Sequence, residues 1–380
     1  MAQEDGAKTM EIYGFVMTDV GYNFNQIQSE WFDVVRPTKL PTFENEYGTN
    51  GNVYFSVRQT RFGAKNYFQT SLGELFTQFE WELFGVGADA GQTTFRLRHA
   101  YGQLGKFGAG QYWSPFMDID IFPNSLEYWG PSGMVFFRNL QVRYMPIQGD
   151  SRLTIALERP GATGDEGVYA DRLREENLRG RSPMADLSAE YRHSLGSGRY
   201  VELAGIVRHI EWEDLDTNST DLSGSVVGWG FNLTTNLKLG AATTFRGGVV
   251  YGAGIQNYMN DAEADMAIDN REVIVLPQLG ISAFIDHQWN EKFSSAVGYS
   301  LNDVDNGDGQ LASAFNSGSY ALANLLYYPA KNAMAGVELQ YGNRRNKAED
   351  PVTGFDGSEI VKIQFSFKYN FSQSFYSKKS

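Results

Sequence analysis

Cysteine is absent from the 380 residues, so neither a disulfide framework nor a thiolate site can be built from this chain. The absence fits an exported protein that avoids stray disulfides, and a cytosolic one equally. Long apolar runs are missing too. A membrane-crossing helix needs about 20 apolar residues, and a mean hydropathy of −0.37 without such a run excludes one. A transmembrane barrel stays open, because its lipid face uses only alternate residues. Histidine is scarce, at four. His99, His193, His209 and His287 are spread over four segments, each on the parity of the apolar residues around it. Scattered imidazoles do not bring nucleophile and base within hydrogen-bond reach, and neither HExxH nor GxSxG occurs. An enzyme is therefore not expected, and no motif for a metal or cofactor is present.

Positive charge is also in deficit. Lys and Arg number 32 against 45 Asp and Glu, a net charge of −13, which argues against nucleic acid as a partner. Much of the acid sits in charged stretches such as DAEADMAIDNRE and ADRLREENLRGR, read as solvated loops. No proline-rich linker, low-complexity tract or shift in composition marks a domain boundary. A β-propeller would repeat every ~40–50 residues, and no such repeat is found. MAQEDGAK lacks the apolar core of a signal peptide. Residues 1–8 are expected to be a short extension, 9–371 one barrel, and 372–380 a tail.

Two-residue periodicity fills the rest. In Ile360–Phe371, Val361, Ile363, Phe365, Phe367, Tyr369 and Phe371 alternate with Lys362, Gln364, Ser366, Lys368 and Asn370. Successive strand side chains point to opposite faces, so this is a strand with one apolar wall. Its length exceeds the ~5–6 residues common in soluble sheets and suits a tilted bilayer crossing. Similar segments include Val53–Phe62, Leu75–Leu83, Phe95–Leu104, Met134–Tyr144 and Val273–Trp289. The first, Glu11–Tyr22, is apolar on both parities, as if it lay against a neighbouring subunit. About sixteen strands result, joined alternately by short turns, the first at Lys65–Thr70, and long loops. That alternation is the mark of an antiparallel outer-membrane barrel. Tyr144, Met145, Trp289, Tyr327 and Tyr328 near short turns, with Trp81 and Trp212 toward long loops, would form the aromatic girdles.

The longest clue is Phe95–Pro146. Parity places Phe95, Leu97 and Tyr101 outward, with Arg96 and Arg98 inward; Leu140, Val142 and Tyr144 then oppose Arg143. Between the flanking strands lies a loop, Ser114–Gly133, too aromatic to be disordered. It carries Asp118, Asp120 and Glu127, and is read as a third external loop folded into the lumen. Inward parity also collects Arg58, Arg192, Arg208, Arg246, Arg344, Lys362 and Lys368, and the acids Glu74, Glu80, Glu82, Glu158, Glu190, Glu202, Asp286 and Glu338. So many unpaired ions could not be buried dry, which points to a wide aqueous lumen. Guanidinium forks pair well with carboxylates, making Arg58, Arg96 and Arg98 the expected anion contacts. Glu80 and Glu82 are the expected acidic wall.

RLRHAYGQLGKFGAGQYWSPFMD, with IYGFVMTDVGYNF, SVRQTRFGAK and IQFSFKYNF, resembles the DcaP-like porins of Gram-negative bacteria. The resemblance runs from the first strand to the last. It implies a trimeric, 16-stranded outer-membrane porin that lets small anions, dicarboxylates among them, diffuse passively through a constriction. It also implies that Arg58, Arg61, Arg96 and Arg98 belong to a basic wall, with Asp118 on the constriction loop. Expected partners are outer-membrane lipid and lipopolysaccharide, small anionic solutes and two further copies of the chain. Two alternatives are a plugged adhesive or structural barrel acting through its external loops, and a membrane-embedded hydrolase. Two features depart from the family pattern: the given sequence has only about ten residues before the first strand, where family members often carry a coiled coil, and SQSFYSKKS follows Phe371 where barrels usually end on an aromatic.

Overall fold

Alternating side chains become alternating faces when strands pair in register, and closing the sheet on itself leaves no edge to satisfy. A computed structural model describes residues 8–170, 178–215, 221, 223–269 and 272–377. Most of the expected extension, parts of both charged stretches and the last three residues lie outside the described residues. Sixteen antiparallel strands form the barrel. The first eight are β1 (Lys8–Asn23), β2 (Asn52–Ser56 and, after a break, Arg61–Thr70), β3 (Gly73–Phe84), β4 (Thr93–Leu104), β5 (Phe107–Trp113), β6 (Arg138–Ile147), β7 (Arg152–Glu158) and β8 (Asp186–Gly196, preceded by Leu178–Arg181). The others are β9 (Arg199–Asp214), β10 (Gly224–Lys238), β11 (Thr243–Ala253), β12 (Pro277–Asn290), β13 (Phe293–Val304), β14 (Phe315–Ala330), β15 (Ala333–Asn346) and β16 (Gly357–Tyr376). Closure comes from β1 against β16, in register from Met10↔Phe375 to Asn23↔Lys362.

Short and long connections alternate as expected, with some shifted boundaries. The first turn lies at residues 71–72, beyond Lys65–Thr70, because Arg61–Thr70 pairs fully with β3, from Arg61↔Glu82 to Thr70↔Gly73. Val53–Phe62 is not one strand: Thr60 N donates to Val57 O at 3.0 Å, a turn that breaks β2. Val273–Trp289 divides too, since Glu272–Val275 pairs with Met266–Asp269, which pairs with Gly164–Asp165, in a small separate sheet. At the far end β16 runs to Tyr376, past Phe371 where the barrel was expected to stop.

A bulge corrects the parity of β4. Glu80 faces His99, but Trp81 faces Leu97, so β4 carries one extra residue there. An extra residue flips every position beyond it. His99 and Tyr101, read as outward from alternation, are therefore inward, with 2% and 4% of their surface exposed. The Gln111 side chain caps the bulge, donating to Leu97 O at 3.0 Å and Arg98 O at 3.2 Å.

The two apolar parities of β1 separate cleanly. Val16 and Tyr22 are exposed outward, while Phe15 and Met17 pack against Leu126, Leu326 and Met334. Other apolar clusters join loop residues to barrel side chains. Val35 and Leu40 pack on Phe284, Tyr320, Leu322 and Ile360; Phe116 and Val135 pack on Ala204, Ile206 and Val250. All but Phe15 are buried, so parts of the inner wall are covered by apolar loop residues as well as by charge. Of the expected girdle, Tyr144, Trp289 and Tyr327 are exposed on the outside, whereas Met145 and Trp212 are buried. Tyr328 turns inward to Ser294, at 3.0 Å between hydroxyls.

Candidate functional site

Charge on the barrel wall centres on β3, whose alternation brings Glu80 and Glu82 to the same buried face. Arg98, in the bulge of β4, reaches both: Nε to Glu80 at 2.5 Å and Nη1 to Glu82 at 2.6 Å. Arg61 Nη2 donates to Glu82 at 3.3 Å. Arg96 and Arg138 each stand 3.6 Å from Glu82. Tyr13 donates to Glu80 at 2.7 Å, and the Tyr128 hydroxyl donates to Glu82 in a close contact. Four guanidiniums thus surround two carboxylates, an excess of two positive charges.

The other expected wall arginines stand apart from this group. Arg58 is 1% exposed and tied to two connections, with Nη1 to Asp33 after β1 at 2.7 Å and Nη2 to Gly85 O after β3 at 2.9 Å. Its guanidinium lies 3.8 Å from the Phe84 ring centre, which leaves no room for a solute. Arg143 Nε donates to Gln141 at 3.0 Å, its Nη2 donates to Trp113 O, and it meets no carboxylate at ion-pair distance among the described residues.

The acids of the 114–137 connection are ties. Asp118 accepts from Arg192 Nη2 at 2.6 Å, Tyr200 at 2.7 Å and Thr234 at 2.7 Å. Asp120, the half-exposed one, accepts from Arg192 Nη1 at 2.6 Å. Glu127 is buried and accepts from Val35 N at 2.9 Å and, more closely, from Gly130 N. Leu126 N and Glu127 N in turn donate to Glu338 of β15, at 2.7 and 3.1 Å. The connection therefore joins β8, β9 and β10 on one side to β15 on another.

A cavity of ≈ 440 Å³ lies against this constellation. Arg36, Lys39, Arg96 and Arg138 line it, with Glu263 and a row of aromatic side chains. Arg36 is clamped between Trp31 and Trp129, at 4.2 and 4.1 Å from the ring centres. Its Nε donates to Asp261 at 2.9 Å. Burial and the neighbouring Arg36 charge push the Lys39 ammonium below the ordinary lysine range. A second cavity, ≈ 490 Å³, gathers Arg152, Arg192, Arg199 and Arg246 with Asp120 and Asp150.

Sequence reasoning missed Arg36, Lys39 and Arg138. The first two lie in a connection with no periodicity to read. Arg138 has the parity of outward Leu140, but β5 ends opposite it, at Trp113. At that rim the side chain swings beneath the wall to Glu82.

The profile of one protein family, described as DcaP outer membrane protein, matches residues 3–371. Among solved structures, the outer membrane channel DcaP of Acinetobacter baumannii superposes with a TM-score of 0.81 at 19% identity, covering 97% of this chain and 99% of that one. The anion-selective porin from Comamonas acidovorans gives 0.58 at 10% identity, over 96% of this chain and 100% of that one. In-vitro folded OmpT of Vibrio cholerae gives 0.56 at 14% identity, over 97% and 100%. No curated protein sequence matches the chain.

Proposed function

We propose, of a chain that belongs to the DcaP outer membrane protein family, that it is a passive diffusion channel favouring small hydrophilic anions. Its place is the outer membrane, and its relatives there are channels and porins. In the proposal the 114–137 connection is the third external loop, folded into the lumen to narrow it. Solutes arrive between the long connections, cross a constriction beside the arginines and leave on the side of the short turns. Selectivity needs no covalent step, only pore width and fixed charge.

The observation that carries the anion preference is the excess of two guanidiniums around Glu80 and Glu82. The working basic wall is Arg61, Arg96, Arg98 and Arg138, without Arg58 and Arg143. Dicarboxylates suit such a wall because each guanidinium can fork onto a carboxylate. Assembly as a homotrimer, in contact with lipid and lipopolysaccharide, belongs to the same reading; OmpT of Vibrio cholerae has been described in a trimer form.

The buried apolar clusters favour one other reading, a plugged barrel acting through its external loops. Planar-bilayer recording under a salt gradient separates the two. Conductance in steps of three with an anion-selective reversal potential is the expected result. Cation preference would sink the basic-wall reading, and silence would leave the plugged barrel.

A further inference from the structure

The stretch DAEADMAIDNRE reads as a solvated loop, yet Asp261 and Asp265 are buried, at 1% and 0% exposure. Both belong to the connection after β11, described over residues 254–269. Asp261 accepts from Arg36 Nε at 2.9 Å, Thr38 N at 3.0 Å and Thr38 Oγ1 at 2.6 Å, all in the connection after β1. Glu263 holds Arg344 of β15 at 2.8 Å. Asp265 holds Arg208 of β9 at 2.8 Å and accepts from Thr163 N, in the connection after β7, at 2.8 Å. The 114–137 connection is joined at Asn260. Asn260 Nδ2 donates to Trp129 O at 2.6 Å and Pro131 O at 2.9 Å, and Trp129 Nε1 donates to Asn260 O at 2.6 Å. Since β9 and β15 stand six strands apart round the wall, the connection bridges far more than the two strands it joins. Among the described residues, every hydrogen bond between it and the connection after β1 ends on Asp261. The ≈ 440 Å³ cavity opens beside this joint, lined by Arg36, Trp129, Asn260 and Glu263, so movement there changes open space and not packed core.

We propose that the connection after β11 is a second barrier in the channel, a crossbar over the mouth on the side of the long connections, and that Asp261 is the positioning residue that pins it. Two elements then size the passage: this crossbar and the 114–137 connection stapled to it at Asn260. Asp261 touches no solute; it acts through Arg36 and Thr38. Removing its carboxylate leaves Arg36 Nε and Thr38 N without their acceptor and takes all three hydrogen bonds from the joint. The crossbar then moves on its remaining anchors at Glu263 and Asp265, and the passage widens for solutes of any charge. The inference rests on the channel reading and adds to it a residue that limits solute size.

The test uses the whole purified protein in planar bilayers and in liposomes, with neutral sugars as probes so that the lost charge does not enter. Liposome swelling is compared for arabinose, a pentose, and raffinose, a trisaccharide. Asp261→Ala is expected to raise single-channel conductance about twofold, and the raffinose-to-arabinose swelling ratio by a similar factor, because pore width governs both. Arg345→Gln, at an exposed pair with Asp356, should change neither. A purely structural role for Asp261 would lower the thermal midpoint and leave the sugar ratio where it was; that result overturns the proposal. So does a rise in conductance alone, which the lost negative charge explains without any movement. In either case a conducting wild type keeps the channel reading standing. A silent wild type beside a conducting Asp261→Ala upholds the crossbar and defeats the open-channel reading, and silence in both defeats both. Should Asp261→Ala fail to fold, Glu263→Gln, which loses the β15 anchor, decides by the same ratio.

Discussion

Arg192 touches three carboxylates at 2.6 Å each: Asp118 and Asp120 from the 114–137 connection and Glu202 from β9. Two of the three are buried. Replacing it with glutamine strands their charge away from water, which typically costs about 3–5 kcal/mol. Arg192→Gln should therefore lower the thermal midpoint of the barrel in circular dichroism. Arg192→Lys should recover only part of the loss, since an ammonium cannot fork across several acceptors. A second prediction concerns pH. Lys39 ionises below the usual lysine range, so it loses its positive charge as pH rises toward 10.5, ahead of an ordinary lysine. Anion preference, read as reversal potential, should fall over that rise and stay flat in Lys39→Arg. At this scale the sequence was legible where parity held, as for Glu80, Glu82, Arg96 and Arg98. It misled at His99 and Tyr101, because one extra residue in β4 leaves no mark in composition. Arg138 was illegible for a different reason, the abrupt end of the neighbouring strand.

The strands could be read from alternation; the connections could not. Nothing periodic announces that Val35 and Leu40 pack beneath the barrel wall, or that Asp261 receives Thr38 N at 3.0 Å and Thr38 Oγ1 at 2.6 Å. These contacts join residues far apart in the chain and depend on closure of the barrel. Gly133 shows how tight the fit is. A Cβ there would stand 1.9 Å from Leu301 O and 2.7 Å from Ile281 O, while its N–H donates to Ser300 at 2.7 Å. Gly133→Val should push the returning half of the connection off β12 and β13. Faster proteolysis within residues 114–137 would register that shift, and an unchanged cleavage pattern would refute it. If the connection narrows the pore, deleting Asn124–Tyr128 should raise single-channel conductance. A flat response would place it outside the conducting path.

At the scale of the whole molecule the barrel is one closed sheet, and fold class was legible because strand length, alternation and connection pattern agree with one another. The end of the last strand was not, since SQSFY after Phe371 reads as polar. In the barrel those residues pair with the start of β1, from Tyr13↔Ser372 to Met10↔Phe375. Deleting residues 372–380 should leave that stretch of β1 with β2 as its only neighbour. The unheated protein should then lose its compact form at a lower temperature in gel mobility assays.

That same seam, first strand against last, orders events in time. Contacts between the two ends of a chain have the greatest sequence separation possible, and non-local pairing is the slow step of folding. Every hairpin from β1 to β16 can form as its residues arrive, but the seam of β1 against β16 waits for the last strand. Until then the sheet has two open edges, each able to template a wrong partner. The chain cannot finish early, and its protection before closure has to come from outside it.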